Sequence, residues 1–437
     1  MKLAFTPFIA SLAIIMLATM SNAHAQRFIT DYDSSLFIRD TLRPFLKKME
    51  NMSFSGYIQP QFQVARQKGI DSYAGGDFRE FSNNRFMIRR ARMKIDYRIP
   101  GKKGNIPAAL FTFQFEATER NLNVRDMFVR IFEPLKANFS LTAGMFARPF
   151  GYEVNLSSSY RESPERGRMS QILMPSERDL GAAITYESQQ PGRKELQLKL
   201  DVGIFNGQGK SGPAEFDSFK DIIGRLVLKP FSAGSNTRIS GGLSFLNGGW
   251  VQPTQYKYET GIAGNNKRFI VDSSLSNIGD KAPRQYYGAD LQVEFTHAWG
   301  KTELRTEYWS GIQPGSFETT VNPGELPVYP TYIRSFDGAF FYLIQNLINE
   351  RWELVAKYDW YDPNTDVSEM EIGKTGTNFS EADIRFATFG FGMNHHLNDN
   401  LKILLYYDIV RNEHTAMAGF TKDVRDNVFT WRVQFRF

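Results

Sequence analysis

The chain lacks cysteine, has only five histidines among 437 residues, and contains no basic block. Without cysteine it cannot form disulfide frameworks, thiolate zinc sites or cysteine nucleophiles. A mean hydropathy of −0.38 argues against a bundle of membrane-spanning helices, each of which needs about 20 mostly apolar residues. The net charge of +5 gives nucleic-acid binding little support. What is abundant, 37 Phe, 19 Tyr and 35 Gly, favours an antiparallel β protein.

The first 25 residues have the three parts of a secretory signal peptide. Lys2 gives a cationic start, Leu12 to Ala18 form a short apolar core, and Ala23-His24-Ala25 is an A-x-A cleavage site. A membrane anchor is the alternative, but the apolar core is short for one. We predict cleavage after Ala25, export, and over residues 26–53 a periplasmic N-terminal segment that is either a short helix or a partner-binding arm.

From Phe54 onward apolar and polar residues alternate strictly, which is the side-chain period of a strand with one apolar face. We predict sixteen such strands, at 54–66, 85–98, 108–117, 124–132, 137–148, 179–187, 195–205, 221–229, 237–247, 285–297, 301–309, 336–347, 352–361, 386–394, 401–410 and 426–437. Most have the length that a tilted strand needs to cross a bilayer. Pro60 inside the first strand predicts a bulge or a shifted boundary, because its nitrogen cannot donate.

The connections after even-numbered strands are short, and those after odd-numbered strands are mostly long. Short turns at one end and long loops at the other are typical of outer-membrane barrels. The sequence therefore predicts an all-β fold over residues 54–437: a 16-stranded antiparallel transmembrane β-barrel with short periplasmic turns and long extracellular loops. The expected location is the outer membrane of a Gram-negative bacterium, in contact with its lipid.

Basic residues on the second strand share one parity, and apolar residues share the other: Arg90, Arg92, Lys94 and Arg98 against Ala91, Met93, Ile95 and Tyr97. An arginine facing lipid near the bilayer midplane costs about 2–4 kcal/mol, so the basic parity must face the lumen. The same argument, applied to their own strands, places Arg130, Arg148 and Arg225 inside. Arginine suits phosphate or carboxylate, because its planar fork binds two oxygens.

Acidic residues share the lumen parity, so two interpretations stay open. The arginines and carboxylates either pair with one another to brace the wall, or leave an anion-selective path. No cofactor, metal or catalytic site is expected. Gly207-Gln208-Gly209-Lys210-Ser211 lacks the first glycine of a phosphate-binding loop, His395-His396 falls in a turn, and no Ser–His pair is evident.

Several stretches, in this order along the chain, resemble the phosphate-selective porin O and P family of outer-membrane diffusion porins. They are Arg85-Phe86-Met87-Ile88-Arg89-Arg90-Ala91-Arg92, Gly144-Met145-Phe146-Ala147-Arg148-Pro149-Phe150-Gly151-Tyr152-Glu153, Arg178-Asp179-Leu180-Gly181, Gly203-Ile204-Phe205-Asn206-Gly207 and Tyr287-Gly288-Ala289-Asp290. The terminal Phe437 also resembles the assembly signal of outer-membrane barrels. The resemblance implies a homotrimer and a third long loop, residues 149–178, that folds inward as the constriction.

The resemblance also implies a function, namely passive diffusion of small hydrophilic solutes with a bias toward anions, phosphate and polyphosphate among them. The candidate constriction cations in the third loop are then Arg161, Arg166 and Arg168. The family's phosphate-specific members also use a lysine in this region, whereas this chain has none between Arg148 and Lys194. The competing hypothesis is a non-conducting barrel that acts as a surface anchor or as a subunit of an envelope assembly.

Overall fold

The computed structural model describes residues 49–101, 106–188, 196–321, 326–347 and 351–437. The predicted signal peptide, and the predicted N-terminal segment as far as residue 48, lie outside these ranges. Residues Phe54–Phe437 form one compact unit.

The described chain is built almost entirely from strands. In chain order these are β1 (Met52–Ala65), β2 (Asn84–Pro100), β3 (Pro107–Ala117), β4 (Leu122–Phe132), β5 (Phe139–Ala147), β6 (Arg178–Glu187), β7 (Leu198–Phe205), β8 (Asp221–Ser232), β9 (Thr237–Val251), β10 (Lys257–Ala263), β11 (Asn266–Asp272), β12 (Lys281–His297), β13 (Gly300–Gly315), β14 (Thr331–Leu347), β15 (Trp352–Asp362), β16 (Phe386–His396), β17 (Leu401–Asn412) and β18 (Val428–Arg436).

Helical structure is short and confined to loops. Between residues 54 and 437, the described part of the chain has the helix α1 (Arg168–Leu173) and 3-10 turns at Leu275–Asn277, Glu369–Glu371 and Glu381–Asp383. Across the described ranges, no helix has the length and apolar character needed to cross a membrane.

The sheet closes on itself, because β1 pairs with β18 on one side and with β2 on the other. Gly56 and Phe437 exchange both backbone hydrogen bonds, at 3.1 and 3.0 Å. Since β9 pairs directly with β12, β10 and β11 lie outside the wall, and 16 of the 18 strands form the barrel. The predicted 16-stranded antiparallel barrel is confirmed.

The hairpin of β10 and β11 was not predicted. It lies in the loop between β9 and β12, and Lys257–Glu259 on β10 pairs in parallel with Thr331–Ile333 on β14. Tyr258, Thr260 and Ile262 carry the period of two that identifies the other strands. The signal was therefore present, but it is too short to stand out from a long loop.

Outward and inward side chains alternate along most of the wall, as β18 illustrates. Phe429, Trp431 and Phe435 are 36–46% exposed on the outer surface, whereas Thr430 and Arg432 between them are buried inside. Loops are long at one end of the barrel, as at 363–385, and turns are short at the other, as at 397–400.

Pro60 requires neither a bulge nor a shifted boundary against β18. Ile58 lies opposite Phe435 and Gln61 lies opposite Arg432, so the register is the same on both sides of the proline. Pro60 itself is exposed on the outer surface.

We predict that alanine at Gly144 destabilises the barrel more than alanine at Gly234. Both glycines have positive φ, +127° and +135°, which costs an L-residue about 1–2 kcal/mol. A Cβ at Gly234 meets open space, but one at Gly144 meets the Met127 carbonyl oxygen and lies 2.8 Å from the Phe128 Cα. Overpacking raises the total loss for Gly144→Ala to roughly 2–5 kcal/mol. Urea unfolding in detergent measures both losses, and equal losses would contradict this explanation.

Candidate functional site

Loop 3, residues 148–177 between β5 and β6, bonds to inward-facing side chains of eleven wall strands. These partners are Tyr57 on β1, Arg90 on β2, Arg125 on β4, Arg178 on β6, Ser244 on β9, Arg305 on β13, Tyr342 on β14, Asp359 on β15, Asn394 on β16, Lys402 on β17 and Arg432 on β18. Loop 3 therefore lies inside the barrel and sets the shape of the remaining lumen.

Glu165 of loop 3 is bound by three arginines of the wall. Arg89 Nε lies 2.7 Å and Arg432 Nη2 lies 3.2 Å from its Oε1, while Arg90 Nη2 lies 2.6 Å from its Oε2. Burial alone would raise the pKa of Glu165, but the three guanidinium groups hold it well below its usual value. This carboxylate is therefore the charged anchor that fixes loop 3 to β2 and β18.

Two further carboxylates of loop 3 pair with arginines elsewhere on the wall. Arg305 on β13 holds both oxygens of Glu162, at 2.7 and 2.8 Å. At the end of the loop, Glu177 accepts hydrogen bonds from Arg125 on β4 and from Arg178 on β6, the latter at 2.8 Å. Ion pairs thus hold the loop at several points around the barrel.

An apolar cluster holds another part of loop 3. The Phe150 ring meets the Trp309 ring edge to face, with their centroids 4.7 Å apart. Val154, Met169 and Leu173 are buried in the same cluster. Since both charged and apolar contacts fix it, loop 3 is a built part of the lumen.

Strands β2–β7 and loop 3 enclose a cavity of about 330 Å³. Six basic side chains line it: Arg92, Lys94, Arg125, Arg130, Arg178 and Lys199. Two acidic side chains, Asp126 and Asp201, line it as well. The lining therefore has more cationic than anionic groups.

Arg130 is the cation of this cavity with the least compensation. Lys94 pairs with Asp96 and Lys199 pairs with Asp201, each at 2.8 Å. Arg130 donates from Nε to the Thr142 hydroxyl at 2.9 Å, and no carboxylate of the described residues lies within ion-pair distance of it. Its charge is therefore available to a solute in the cavity.

The other arginines predicted on the wall lie in different surroundings. Arg90 is paired with Glu165, and Arg92 with Glu116. Arg225 pairs with Asp290 at 2.7 Å. Arg148 is fully buried and donates to the Ser176 carbonyl, whereas Arg98 is exposed near the short-turn end of β2.

The three predicted cations of loop 3 do not line the cavity beside β2–β7. Arg161 is buried, and its carbonyl accepts a hydrogen bond from Lys402 at 2.9 Å. Arg166 turns back into the loop, where it bonds to the Ser170 carbonyl at 3.0 Å. Arg168 lies between two aromatic rings at the long-loop end of the lumen.

Three basic residues of the cavity were not among the predicted site residues: Arg125, Arg178 and Lys199. Arg125 was hidden by a bulge. Gln114 pairs with Asp126 while Phe115 pairs with Val124, so Arg125 is the extra residue. As a result, the adjacent side chains of Arg125 and Asp126 are both buried. The adjacent charges Arg125-Asp126 within an alternating strand could have signalled it.

Among solved structures, the chain is similar to OprB of Pseudomonas putida, with 10% identity over 91% of this chain and 96% of that one and a TM-score of 0.60. It is also similar to the outer membrane channel DcaP of Acinetobacter baumannii, with 10% identity over 88% and 97% and a TM-score of 0.49. A third is the anion-selective porin from Comamonas acidovorans, with 11% identity over 88% and 98% and a TM-score of 0.48.

No protein-family model and no curated protein sequence matches the chain. At 10% identity the likeness to OprB shows the fold alone, a closed antiparallel barrel of the porin type. Membership of the phosphate-selective porin O and P family stays a hypothesis.

We predict that Glu165→Gln destabilises loop 3 and the barrel. The substitution removes the negative charge that compensates Arg89, Arg90 and Arg432, and breaking a buried ion pair costs about 3–5 kcal/mol. The control is Glu119→Gln, since that exposed carboxylate lies 3.6 Å from an exposed Arg120. Urea unfolding in detergent and limited proteolysis of loop 3 measure the effect, and similar curves for the two variants would rule it out.

Proposed function

We propose that the protein is an outer-membrane channel for the passive diffusion of small hydrophilic solutes, biased toward anions, and not an enzyme. The observation that carries the proposal is the cavity between loop 3 and β2–β7, with six basic and two acidic lining side chains. A channel selects by its width and by the charges that replace the hydration of a solute. An excess of cations beside the path favours anions.

The architecture supports the proposed location. The barrel is closed, so its wall leaves no unpaired sheet edge, and its outer surface carries apolar side chains. Export is part of this proposal and rests on the predicted signal peptide. In the proposed location, the long loops face the cell exterior and the short turns face the periplasm.

Phosphate and polyphosphate are the solutes that the family resemblance suggests. In the structure, Arg130 has the fork geometry that suits an oxyanion, and Lys94 and Lys199 line the same cavity. The absence of lysine from loop 3 leads us to propose a general anion bias with phosphate as one solute. The homotrimer also rests on the resemblance, and cross-linking of the detergent-extracted protein tests it.

One observation favours the non-conducting barrel as a second candidate. Loop 3 places a large apolar cluster in the lumen, including Phe150, Met169 and Leu173. Such packing narrows the lumen. A barrel that does not conduct would act as a surface anchor or as a subunit of an envelope assembly. Conductance across a planar bilayer separates the two candidates.

We predict that Arg130→Gln lowers the chloride-to-potassium permeability ratio roughly two- to fivefold, because one uncompensated charge leaves the solute path. The reversal potential in a potassium chloride gradient measures this ratio. Arg120→Gln, at an exposed position with its side chain 71% accessible, is the matched control and should leave the ratio unchanged.

The same recordings test the whole proposal. Cation preference of the unmodified protein would overturn the anion bias, and complete absence of channels would favour the non-conducting barrel. Replacing chloride by phosphate shows whether phosphate permeates or blocks, and Arg130→Gln should weaken either effect.

A further inference from the structure

A second cavity, of about 490 Å³, lies at the long-loop end of the barrel above loop 3. Its walls come from four of the long loops and from α1, and its aromatic side chains are Tyr73, Tyr361, Phe386 and Phe420. Its volume is within the range of sites that hold small organic molecules. We call it the outer cavity.

Arg168 forms part of the floor of the outer cavity and has an unusual environment. Its guanidinium carbon lies 3.8 Å from the centroid of the Phe386 ring and 4.5 Å from that of Tyr73. The residue is only 9% exposed, its Nε has no hydrogen-bond partner, and no carboxylate of the described chain lies within ion-pair distance. These cation–π contacts hold the guanidinium without neutralising its charge, and no acceptor among the described residues bonds to its N–H groups.

Asp426 complements Arg168 on the same cavity. The residue is 7% exposed, and its Oδ1 is a buried acceptor without a hydrogen-bond partner. Burial raises the pKa of this carboxyl to about 6, against the opposing effect of Arg168. Above that pH it is a buried carboxylate with an unused oxygen.

Three more carboxylates stand around the outer cavity: Asp71, Glu318 and Glu381. Within the described ranges none of them, nor Asp426, forms an ion pair. The outer cavity therefore has one cation against four carboxylates, the opposite balance to that of the cavity beside β2–β7.

Ligand classes can be compared by what each would leave unsatisfied. A simple anion would satisfy Arg168 but lie among four carboxylates, and a simple cation would satisfy the carboxylates but face the guanidinium. An uncharged solute would leave both charges uncompensated. Leaving a buried charged group unpaired is costly, so the best ligand carries both charges.

We propose that the outer cavity binds a small zwitterion with an apolar side chain, the chemistry of a hydrophobic amino acid or short peptide. Its carboxylate bonds to the N–H edge of Arg168, and its ammonium group bonds to Asp426. The rings of Phe386 and Phe420 receive the apolar part. This binding does not require conduction, so its test is independent of the proposed channel function.

The test uses the folded full-length barrel in detergent at neutral pH, where the Asp426 carboxylate and the ligands' ammonium groups are mostly charged, with L-phenylalanine as the ligand in isothermal titration calorimetry. Phenylalanine amide, which keeps only the ammonium group, and N-acetylphenylalanine, which keeps only the carboxylate, are the matched ligands. We expect phenylalanine to bind roughly tenfold or more tightly than either, because each lacks one charged hydrogen bond. Equal or tighter binding of either derivative, or no binding of phenylalanine, would overturn the proposal.

Two variants test whether Arg168 and Asp426 form the binding site. Arg168→Met and Asp426→Asn should each weaken phenylalanine binding roughly tenfold, and Arg168→Met should leave phenylalanine amide nearly unaffected. Lys374→Met, which removes a positive charge from an exposed loop outside the outer cavity, is the control. Unchanged phenylalanine affinity in both site variants would refute the assignment, and the comparison of ligands on the unmodified protein remains decisive if a variant fails to fold.

Discussion

The closure of β1 against β18 is the constraint on which the rest of the structure depends. A bilayer offers no partner to a backbone N–H or C=O, so a sheet can cross it only without edges. Closure gives each wall strand two neighbours and one outward face. The outward face carries apolar side chains, and nearly all charge on the wall is therefore directed into the lumen.

Charges concentrated in a narrow lumen must be compensated there, and loop 3 provides much of the compensation. Glu165 binds Arg89, Arg90 and Arg432, and Glu162 binds Arg305. These pairs tie loop 3 to β2, β13 and β18. The wall from β2 to β7 retains a cavity in which the cations outnumber the acids.

The strands could be predicted from the sequence because the outward face of the wall strands carries apolar side chains while the inward face carries polar ones. The alternation fails only where the local geometry breaks it, as at the bulge that places both Arg125 and Asp126 inside. The pairing of loop 3 could not be predicted. Arg90 and Arg92 look like an open cationic ladder, but their partners Glu165 and Glu116 are known only once the chain is folded.

The effect of an arginine on permeation depends on what neutralises it, and its parity on a strand gives no information about that. Arg90 and Arg130 both face the lumen, yet Arg90 pairs with Glu165, whereas Arg130 bonds to the Thr142 hydroxyl and has no carboxylate partner among the described residues. Arg168 differs again, because aromatic rings hold it without neutralising its charge. The net charge of +5 for the whole chain therefore does not reveal that one cavity is lined mainly by cations and the other mainly by carboxylates. The described lumen therefore has carboxylates around the cavity at its long-loop end, and in the cavity beside β2–β7 it has Arg130 without a carboxylate partner among the described residues.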